Sequence, residues 1–359
     1  MINKERLIKT FVELVKIDSP TGEEDAVAKI LISKLKALGF SVETDSFGNV
    51  IGKLKGTGEP FMLNAHMDTV EPGRGIQPIV GKDLITSDGA TILGGDPKAG
   101  VSIILEAIES LQERKVNLPN LEVVFTRSEE VGLLGAVNLD YSKVASKTGL
   151  TFDGDDAVTN ATISAPGYNK VDVIITGIGA HAGVEPEKGL SAIKIAAEII
   201  SELEVGRIDF ETTANIGLIS GGSARNAVPE SVEIKAEVRS RNLEKLASHS
   251  QKFQAVFDKA IAKYPTAKID LKIEREFDPY PFKKTHKIIE KVQKVMKKMN
   301  LEAVLHESGG GTDVNIFHQH GIEAIVMGTA VYDAHTKREN VRIPELIEAT
   351  EFLINFLTS

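Results

Sequence analysis

The sequence predicts an α/β protein, with one domain built on a mainly parallel sheet flanked by helices and a smaller inserted βαββαβ domain. In the first half of the chain, short apolar runs typical of strands alternate with helical segments, which favours a parallel sheet. The composition changes at Pro166-Gly167, and the pattern then reads strand, helix, two strands, helix and strand. The chain is expected to return to the first domain near Phe277. The predicted bounds are 1–165 with 276–359, and 166–275 for the insertion.

Composition excludes several classes of protein. The formal net charge of -9 over 359 residues argues against a nucleic-acid-binding surface, which requires clustered cations. The absence of cysteine excludes disulfides, thiolate nucleophiles and sulfur-ligated metals. Any metal must therefore bind to nitrogen and oxygen.

The N-terminal segment is predicted to be an amphipathic helix. Its first twenty residues mix charged side chains with apolar ones such as Leu7 and Phe11, unlike a signal sequence. No apolar run approaches the roughly 20 residues of a membrane helix, so we expect a cytoplasmic protein with no membrane partner. Thr21-Gly22-Glu23-Glu24 has the pattern of a capping box before a second helix, and strands are predicted at 40–44 and 50–54.

The next strand, 61–64, leads into Ala65-His66-Met67-Asp68-Thr69. Along an extended chain, His66 and Asp68 project to the same side, and Asp68 can hold the second imidazole nitrogen as a metal ligand requires. A polar, glycine-rich excursion over 71–93 precedes a helix that opens at Gly94–Gly100. Here Asp96-Pro97 is either a cis peptide that turns the aspartate or a proline at the first position of the helix, and the two are compatible.

Acidic residues end the two following strands. The strand at 121–126 leads to Glu129-Glu130, and the strand at 150–152 ends at Asp153. The C-terminal ends of parallel strands share one edge of a sheet, where these acids are expected to meet His66, Asp68 and Asp96, together with His335 from near the end of the chain. Five carboxylates and two imidazoles would repel one another without cations, and they suit zinc, manganese or cobalt.

A carboxylate shared by two such ions would form a two-metal hydrolase site. In that site Glu129 and Glu130 are expected to divide their tasks, one binding metal and the other acting as general base. A separate signal is Ser308–Asp313, a glycine run before a short helix. Its N–H groups at Gly309 and Gly310 either receive a substrate carboxylate or belong to a flexible loop.

With these motifs in order along nearly the whole chain, the sequence resembles the M20 metallopeptidase family, most closely its peptidase T branch. The resemblance implies that His66 and Asp153 hold one ion, Glu130 and His335 hold the other, and Asp96 bridges them. It implies further that Asp68 supports His66 and that Glu129 is the general base. The sequence departs from the family at Pro97, where a second acidic residue is usual.

The resemblance also covers the insertion, which corresponds to the lid domain of the family. It implies that His181, in Gly179–Gly183, stabilises the oxyanion, in dimeric members often from the neighbouring subunit. It implies that Asn226 and Arg239 contact the carboxylate end of the substrate, a task suited to an amide and a guanidinium. A homodimer through an exposed edge strand of the lid follows as an expectation.

The predicted activity is that of a two-metal aminopeptidase acting on short peptides, with tripeptides as the expected substrates and two divalent ions, for which zinc is expected and manganese or cobalt are the alternatives. A carboxypeptidase, a dipeptidase or an N-acyl amino acid amidohydrolase on the same scaffold is the first alternative. A non-catalytic peptide-binding protein is a remote one, because it predicts a missing ligand or base and none is missing.

Overall fold

A computed structural model describes residues 2–359, which form two compact units. Residues 2–163, 282–308 and 312–359 belong to the first unit, and residues 164–281 and 309–311 belong to the second. Among residues 2–359, none of the helices combines the length and apolar composition that crossing a bilayer requires.

Most elements of the first unit lie before residue 165. The helices are α1 (Lys4–Val15), α2 (Asp25–Ala37), α3 (Gly95–Glu113) and α4 (Leu134–Val137). The strands are β1 (Ser41–Thr44), β2 (Val50–Leu54), β3 (Thr57–His66), β4 (Ile79–Val80), β5 (Leu84–Thr86), β6 (Pro119–Thr126), β7 (Thr148–Gly154) and β8 (Asn160–Ala165).

The second unit holds the middle of the chain. Its strands are β9 (Gly167–Thr176), β10 (Ala180–His181), β11 (Gly206–Arg207), β12 (Thr212–Gly221), β13 (Ala227–Val228), β14 (Ser231–Ser240), β15 (Lys268–Phe277) and β16 (Tyr280–Pro281). Its helices are α5 (Ala192–Glu202) and α6 (Leu243–Lys263). The five-stranded sheet has the order β11-β12-β14-β9-β15 and is antiparallel throughout. The longer elements follow the predicted βαββαβ order.

The chain then completes the first unit. Its last helices are α7 (Lys287–Lys298), α8 (Asp313–Gln319) and α9 (Ile343–Leu357). Its last strands are β17 (Val304–Glu307), β18 (Glu323–Gly328), β19 (Val331–Tyr332) and β20 (Asn340–Arg342).

The large sheet has the order β1-β2-β6-β3-β7-β18-β8-β16, and β17 also pairs with β8. Its centre is parallel, because β3 pairs with β6 and β7, and β7 pairs with β18, all in the same direction. The outer pairs are antiparallel. The predicted mainly parallel sheet flanked by helices is therefore confirmed. The central strands carry buried apolar side chains such as Leu63, Val123 and Leu150, as a sheet packed on both faces requires.

One local prediction was wrong. The predicted capping box does not form, since α2 begins at Asp25 and its N-cap residue, Glu24, makes no side-chain capping bond. Thr21 instead bonds to Asp68 and Glu24 to Ser128, both far away in sequence, although Glu24 also accepts the N–H of the nearby Gly22 at 3.0 Å. The excursion over 71–93 contains β4 and β5, which join β20 and β19 in a four-stranded sheet.

Candidate metal centre

The central parallel strands deliver polar side chains to one edge of the large sheet. His66 is the last residue of β3 and lies beside Thr126, the last residue of β6. Glu129 and Glu130 follow β6 after the two linking residues Arg127 and Ser128, and Asp153 lies near the end of β7. Since parallel strands end at the same edge, these residues converge although 87 positions separate the first from the last, counting from residue 66 to 153.

A first group of possible metal ligands forms around His66. Its Nε2 atom lies 2.9 Å from Asp96 Oδ1 and 3.0 Å from Asp153 Oδ1. The imidazole is 2% exposed, so little water competes for these contacts. One nitrogen and two carboxylate oxygens therefore face a single point.

A second group forms around His335, which the loop after β19 carries in a left-handed conformation with φ of 62°. Its Nε2 atom lies 2.9 Å from Glu130 Oε1 and 3.3 Å from Asp96 Oδ2. The two oxygens of Asp96 thus face different histidines, so this one carboxylate belongs to both groups.

Asp68 is completely buried and contacts residues of both groups. Its Oδ1 atom is 3.2 Å from His66 Nδ1 and accepts the N–H of Glu129 at 2.9 Å. Its Oδ2 atom accepts the Thr21 hydroxyl at 2.7 Å and the N–H of Glu130 at 3.3 Å. The Asp68 carboxylate therefore orients both the imidazole and the Glu129-Glu130 turn.

Glu129 lies next to the two groups without being needed to complete either. A carboxylate oxygen of Glu129 lies within 4.8 Å of ligand atoms of His66 and Glu130. The residue is 9% exposed. The turn that presents it begins at Ser128, whose φ of 50° is unusual for a residue with a side chain. Glu24 holds that turn by accepting the N–H and the hydroxyl of Ser128, each at 3.0 Å.

The carboxylates of the site stabilise positive charge on both histidines. Burial opposes charge on His66, but the carboxylates of Asp153, Asp68 and Asp96 outweigh it and hold the pKa of His66 well above its ordinary value. Hydrogen bonds with Asp96 and Glu130 raise the pKa of His335 to about 10.

Two acids of the site have pKa values raised mainly by burial. Burial raises the pKa of Asp153 to about 7. Burial, and then the charge of Asp153, raises the pKa of Glu129 well above its ordinary range. At Asp96 and Asp68 burial is outweighed by hydrogen bonds with the histidines, which lower both pKa values. A cluster of such carboxylates is one that cations would neutralise.

The donor set fits divalent metal ions. In each of the two groups around Asp96, the three ligand atoms lie within 4.8 Å of one another, and both groups offer only imidazole nitrogen and carboxylate oxygen. Zinc, manganese and cobalt accept such ligands. The structure thus brings together all seven of the predicted histidines and acids.

The Asp96-Pro97 bond is cis, which is one of the two arrangements that the sequence left open. Asp96 has φ of -79° and ψ of 114°, so it is not helical although α3 is assigned from Gly95. Pro97 therefore stands at the start of the regular helix, and both predicted roles for it hold.

The remaining predicted site residues belong to the second unit. His181 pairs with Ala227 between β10 and β13, and the neighbouring Ala182 donates its N–H to the carbonyl of Asn226 at 2.9 Å. Arg239 forms an ion pair with Glu237 at 3.0 Å and lies over the ring of Tyr168. Gly309 and Gly310 cluster with this unit as well.

Among the buried charged residues beside the metal centre, Glu24, Glu339 and Lys98 were not predicted. Glu24 holds the turn before Glu129, Glu339 binds the backbone beside Asp96, and Lys98 donates to Ser19 Oγ at 2.6 Å and to the Met67 carbonyl. Lys98 lies in a recognisable motif, which was a usable signal. Glu24 and Glu339 stand in charged stretches that resemble any solvated surface, and their partners are distant in sequence.

Two family profiles match the chain. The profile described as the peptidase dimerisation domain matches residues 163–265. The profile of peptidase family M28 matches residues 49–169, the stretch that contains all of the candidate metal centre except His335.

Known proteins similar to this chain match it over nearly its full length. A Bacillus subtilis protein, YqjE, is 39% identical over 99% of this chain and 98% of its own. The crystal structure of the aminopeptidase PepT from Bacillus cereus is 37% identical with a TM-score of 0.91, covering 99% of this chain and 98% of that one. The structure of a tripeptidase from Staphylococcus aureus is 33% identical with a TM-score of 0.95, covering 100% and 98%.

Proposed function

This chain belongs to the M20 peptidase family, close to its peptidase T branch, and from that premise we propose that it is a two-metal aminopeptidase that cleaves tripeptides. The observation that carries the proposal is the position of Asp96. Its two carboxylate oxygens face His66 and His335 at 2.9 and 3.3 Å, as expected of a ligand shared by two ions.

The chain's own ligands divide between two ions. His66, Asp153 and one oxygen of Asp96 would hold the first ion, while Glu130, His335 and the other oxygen of Asp96 would hold the second. Zinc is the ion that we propose, and manganese and cobalt have compatible chemistry. Such ions, when bound, polarise water and the scissile carbonyl.

Glu129 is the proposed general base. It lies at the metal centre and is held by the turn that Asp68 fixes. The raised pKa of Glu129 suits a carboxylate that takes a proton from water and passes it to the departing amine. Asp68 contributes by keeping the imidazole of His66 in one orientation.

The second unit is the proposed lid, and residues 166–275 are its proposed extent, with 1–165 and 276–359 as the catalytic domain. In it we assign oxyanion stabilisation to His181, and recognition of the peptide carboxylate to Asn226, Arg239, Gly309 and Gly310. The exposed positions of His181 and Asn226 are compatible with contact to a ligand.

A homodimer through this second unit is part of the proposal. The match of residues 163–265 to the peptidase dimerisation domain supports it. Within the unit, β11 pairs with only the start of β12, so the rest of β12 presents a strand edge with Leu218 and Ile219 64% and 54% exposed. Analytical ultracentrifugation of the chain tests this, and a monomer at micromolar concentration would contradict it.

The choice of an aminopeptidase acting on tripeptides is supported by the similarity to PepT and to the tripeptidase. The test compares one tripeptide with its N-acetylated and its C-amidated forms. An aminopeptidase spares the acetylated peptide and still cleaves the amidated one, but with a raised KM, because amidation removes the carboxylate that Asn226 and Arg239 are proposed to bind. The opposite preference would favour a carboxypeptidase or N-acyl amino acid amidohydrolase, and cleavage of dipeptides alone would favour a dipeptidase.

A further inference from the structure

Glu339 is a buried carboxylate whose bonds are all to the backbone beside Asp96. It is 1% exposed. Its Oε2 atom accepts the N–H groups of Leu93 and Gly94, both at 2.8 Å, and its Oε1 atom accepts the N–H of Asp96 at 2.9 Å. Three hydrogen bonds from one turn therefore meet at a single side chain.

The turn that Glu339 binds has no side-chain cap of its own. Gly94, the N-cap residue of α3, adopts a left-handed conformation with φ of 70°. The three N–H groups that Glu339 accepts lie in the turn before the regular helix, and buried N–H groups in such a turn need an acceptor. Here the acceptor comes from a residue 243 positions later than Asp96, so these bonds fix a tertiary arrangement of the turn.

Glu339 also belongs to the loop that carries His335. That loop closes where the N–H of Glu339 donates to the carbonyl of Thr336 at 3.0 Å, and β20 begins at the next residue and pairs with β5. The same residue is thus anchored in the His335 loop and bonded to the Asp96 turn. Glu339 therefore links the backbone segments that carry His335 and Asp96, whose side chains lie 3.3 Å apart.

The packing around this contact leaves little freedom. A methyl group added at Gly95 would come within 2.9 Å of the Val341 side chain and 3.2 Å of Glu339 Oε1. The turn can approach the carboxylate because that position is glycine. A small displacement of the Glu339 side chain would therefore be transmitted to the Asp96 backbone.

We infer that Glu339 is a positioning residue, which sets Asp96 and His335 at the spacing that the second metal ion requires and touches neither metal nor substrate. This inference rests on the proposed function, since it needs the group of Asp96, Glu130 and His335 to bind an ion. Its alternative is a purely structural role, in which Glu339 binds this turn and stabilises the fold alone.

Glu122 provides a matched control for that alternative. It is a buried carboxylate, 4% exposed, that accepts the N–H groups of Ala145 and Ser146 at 2.9 and 2.8 Å. Like Glu339 it accepts backbone N–H groups, and it also accepts the Ser146 hydroxyl at 2.6 Å, but it holds no candidate metal ligand. Loss of its charge tests what a backbone-binding carboxylate contributes to stability alone.

The experiment uses the full chain, stripped of metal with a chelator, and titrates zinc against a chromophoric competitor. We compare the unaltered protein, Glu339→Gln and Glu122→Gln, and we measure the melting temperature of each. Glutamine keeps the shape of the side chain but replaces one acceptor oxygen with a donor. The expected result is that Glu339→Gln retains one tight ion and binds the second at least tenfold more weakly, whereas Glu122→Gln melts earlier but binds both ions normally.

Normal binding of two ions by Glu339→Gln would overturn the inference, as would equal weakening in both variants, which would assign the effect to stability. If Glu339→Gln does not fold, Glu339→Asp keeps the charge on a shorter side chain, and it should show the same selective loss of the second ion. Failure of the unaltered chain to bind two ions would refute the proposed function itself, an outcome distinct from the others.

Discussion

The carboxylate of Asp68 lies 3.2 Å from His66 Nδ1 and also accepts the N–H groups of Glu129 and Glu130. One buried side chain therefore orients a proposed metal ligand and the turn that carries the proposed base. Asp68 and His66 are 0% and 2% exposed, so little water competes for the contact between them.

Replacing Asp68 should damage metal binding and turnover together. We expect Asp68→Ala to weaken zinc binding by about 10- to 100-fold, because a histidine ligand loses the partner that fixes its orientation. Thr21→Val removes only the hydroxyl that donates to Asp68 and should have a smaller effect in the same direction. Competitive zinc titration checks both variants, and normal affinity in Asp68→Ala would contradict the assignment.

Replacing Glu129 should separate catalysis from metal binding. Glu129→Gln is expected to lower kcat by a factor of about 100 or more, because general acid–base catalysis typically contributes that much, while two ions remain bound. Glu130→Gln, the matched neighbour, should lose affinity for one ion. The measurements are kcat on a tripeptide and metal content by mass spectrometry. Comparable turnover in Glu129→Gln and the unaltered chain would rule out its role as base.

Metal binding should release more protons, and become weaker, as the pH falls below about 7. In the metal-free fold, burial raises the pKa of Asp153 to about 7 from an ordinary 3.8, so the folded chain keeps a proton that the unfolded chain releases between these values. The metal-free protein therefore loses stability from this group as the pH rises from about 4 to 7. An ion must displace that proton in order to bind Asp153.

Calorimetric titration with zinc in buffers of different ionisation enthalpy counts the protons released. We expect a higher count at pH 6 than at pH 8, because Asp153 adds its proton to those displaced from the two histidines. The melting temperature of the metal-free chain gives an independent check on Asp153. A proton count that does not change over this interval would contradict the proposed participation of Asp153.

Replacing Lys98 should reduce stability. The ammonium group is 1% exposed and bonds to Ser19 Oγ and the Met67 carbonyl. Lys98→Met would leave those buried acceptors without a donor, at a cost of about 1 to 3 kcal/mol in the free energy of unfolding. Urea denaturation measures the change, and Lys34→Met, at a more exposed lysine, is the control. A variant as stable as the unaltered chain would show that water replaces the ammonium.

The fold class followed from local patterns because apolar periodicity is a local property. The parallel strand order could not be deduced from it, yet the position of acids after strands did predict where His66 and Asp153 would meet. That prediction relied on sheet topology, because the C-terminal ends of parallel strands lie at the same edge of a sheet.

What the sequence concealed were contacts between side chains and distant backbone. Thr21 and Glu24 have the spacing of a capping box, but Asp68 and Ser128 compete for them successfully. Glu339 resembles a surface acid until its three N–H partners are known. Such bonds depend on how loops pack in the folded protein, and no local sequence pattern predicts that packing.

Anomalous diffraction from crystals of the full chain grown with zinc or manganese tests the central claim most directly. The account predicts two peaks, one among His66, Asp96 and Asp153 and the other among Asp96, Glu130 and His335, with Asp96 in contact with both. A single peak, or peaks that do not share Asp96, would contradict the two-metal mechanism.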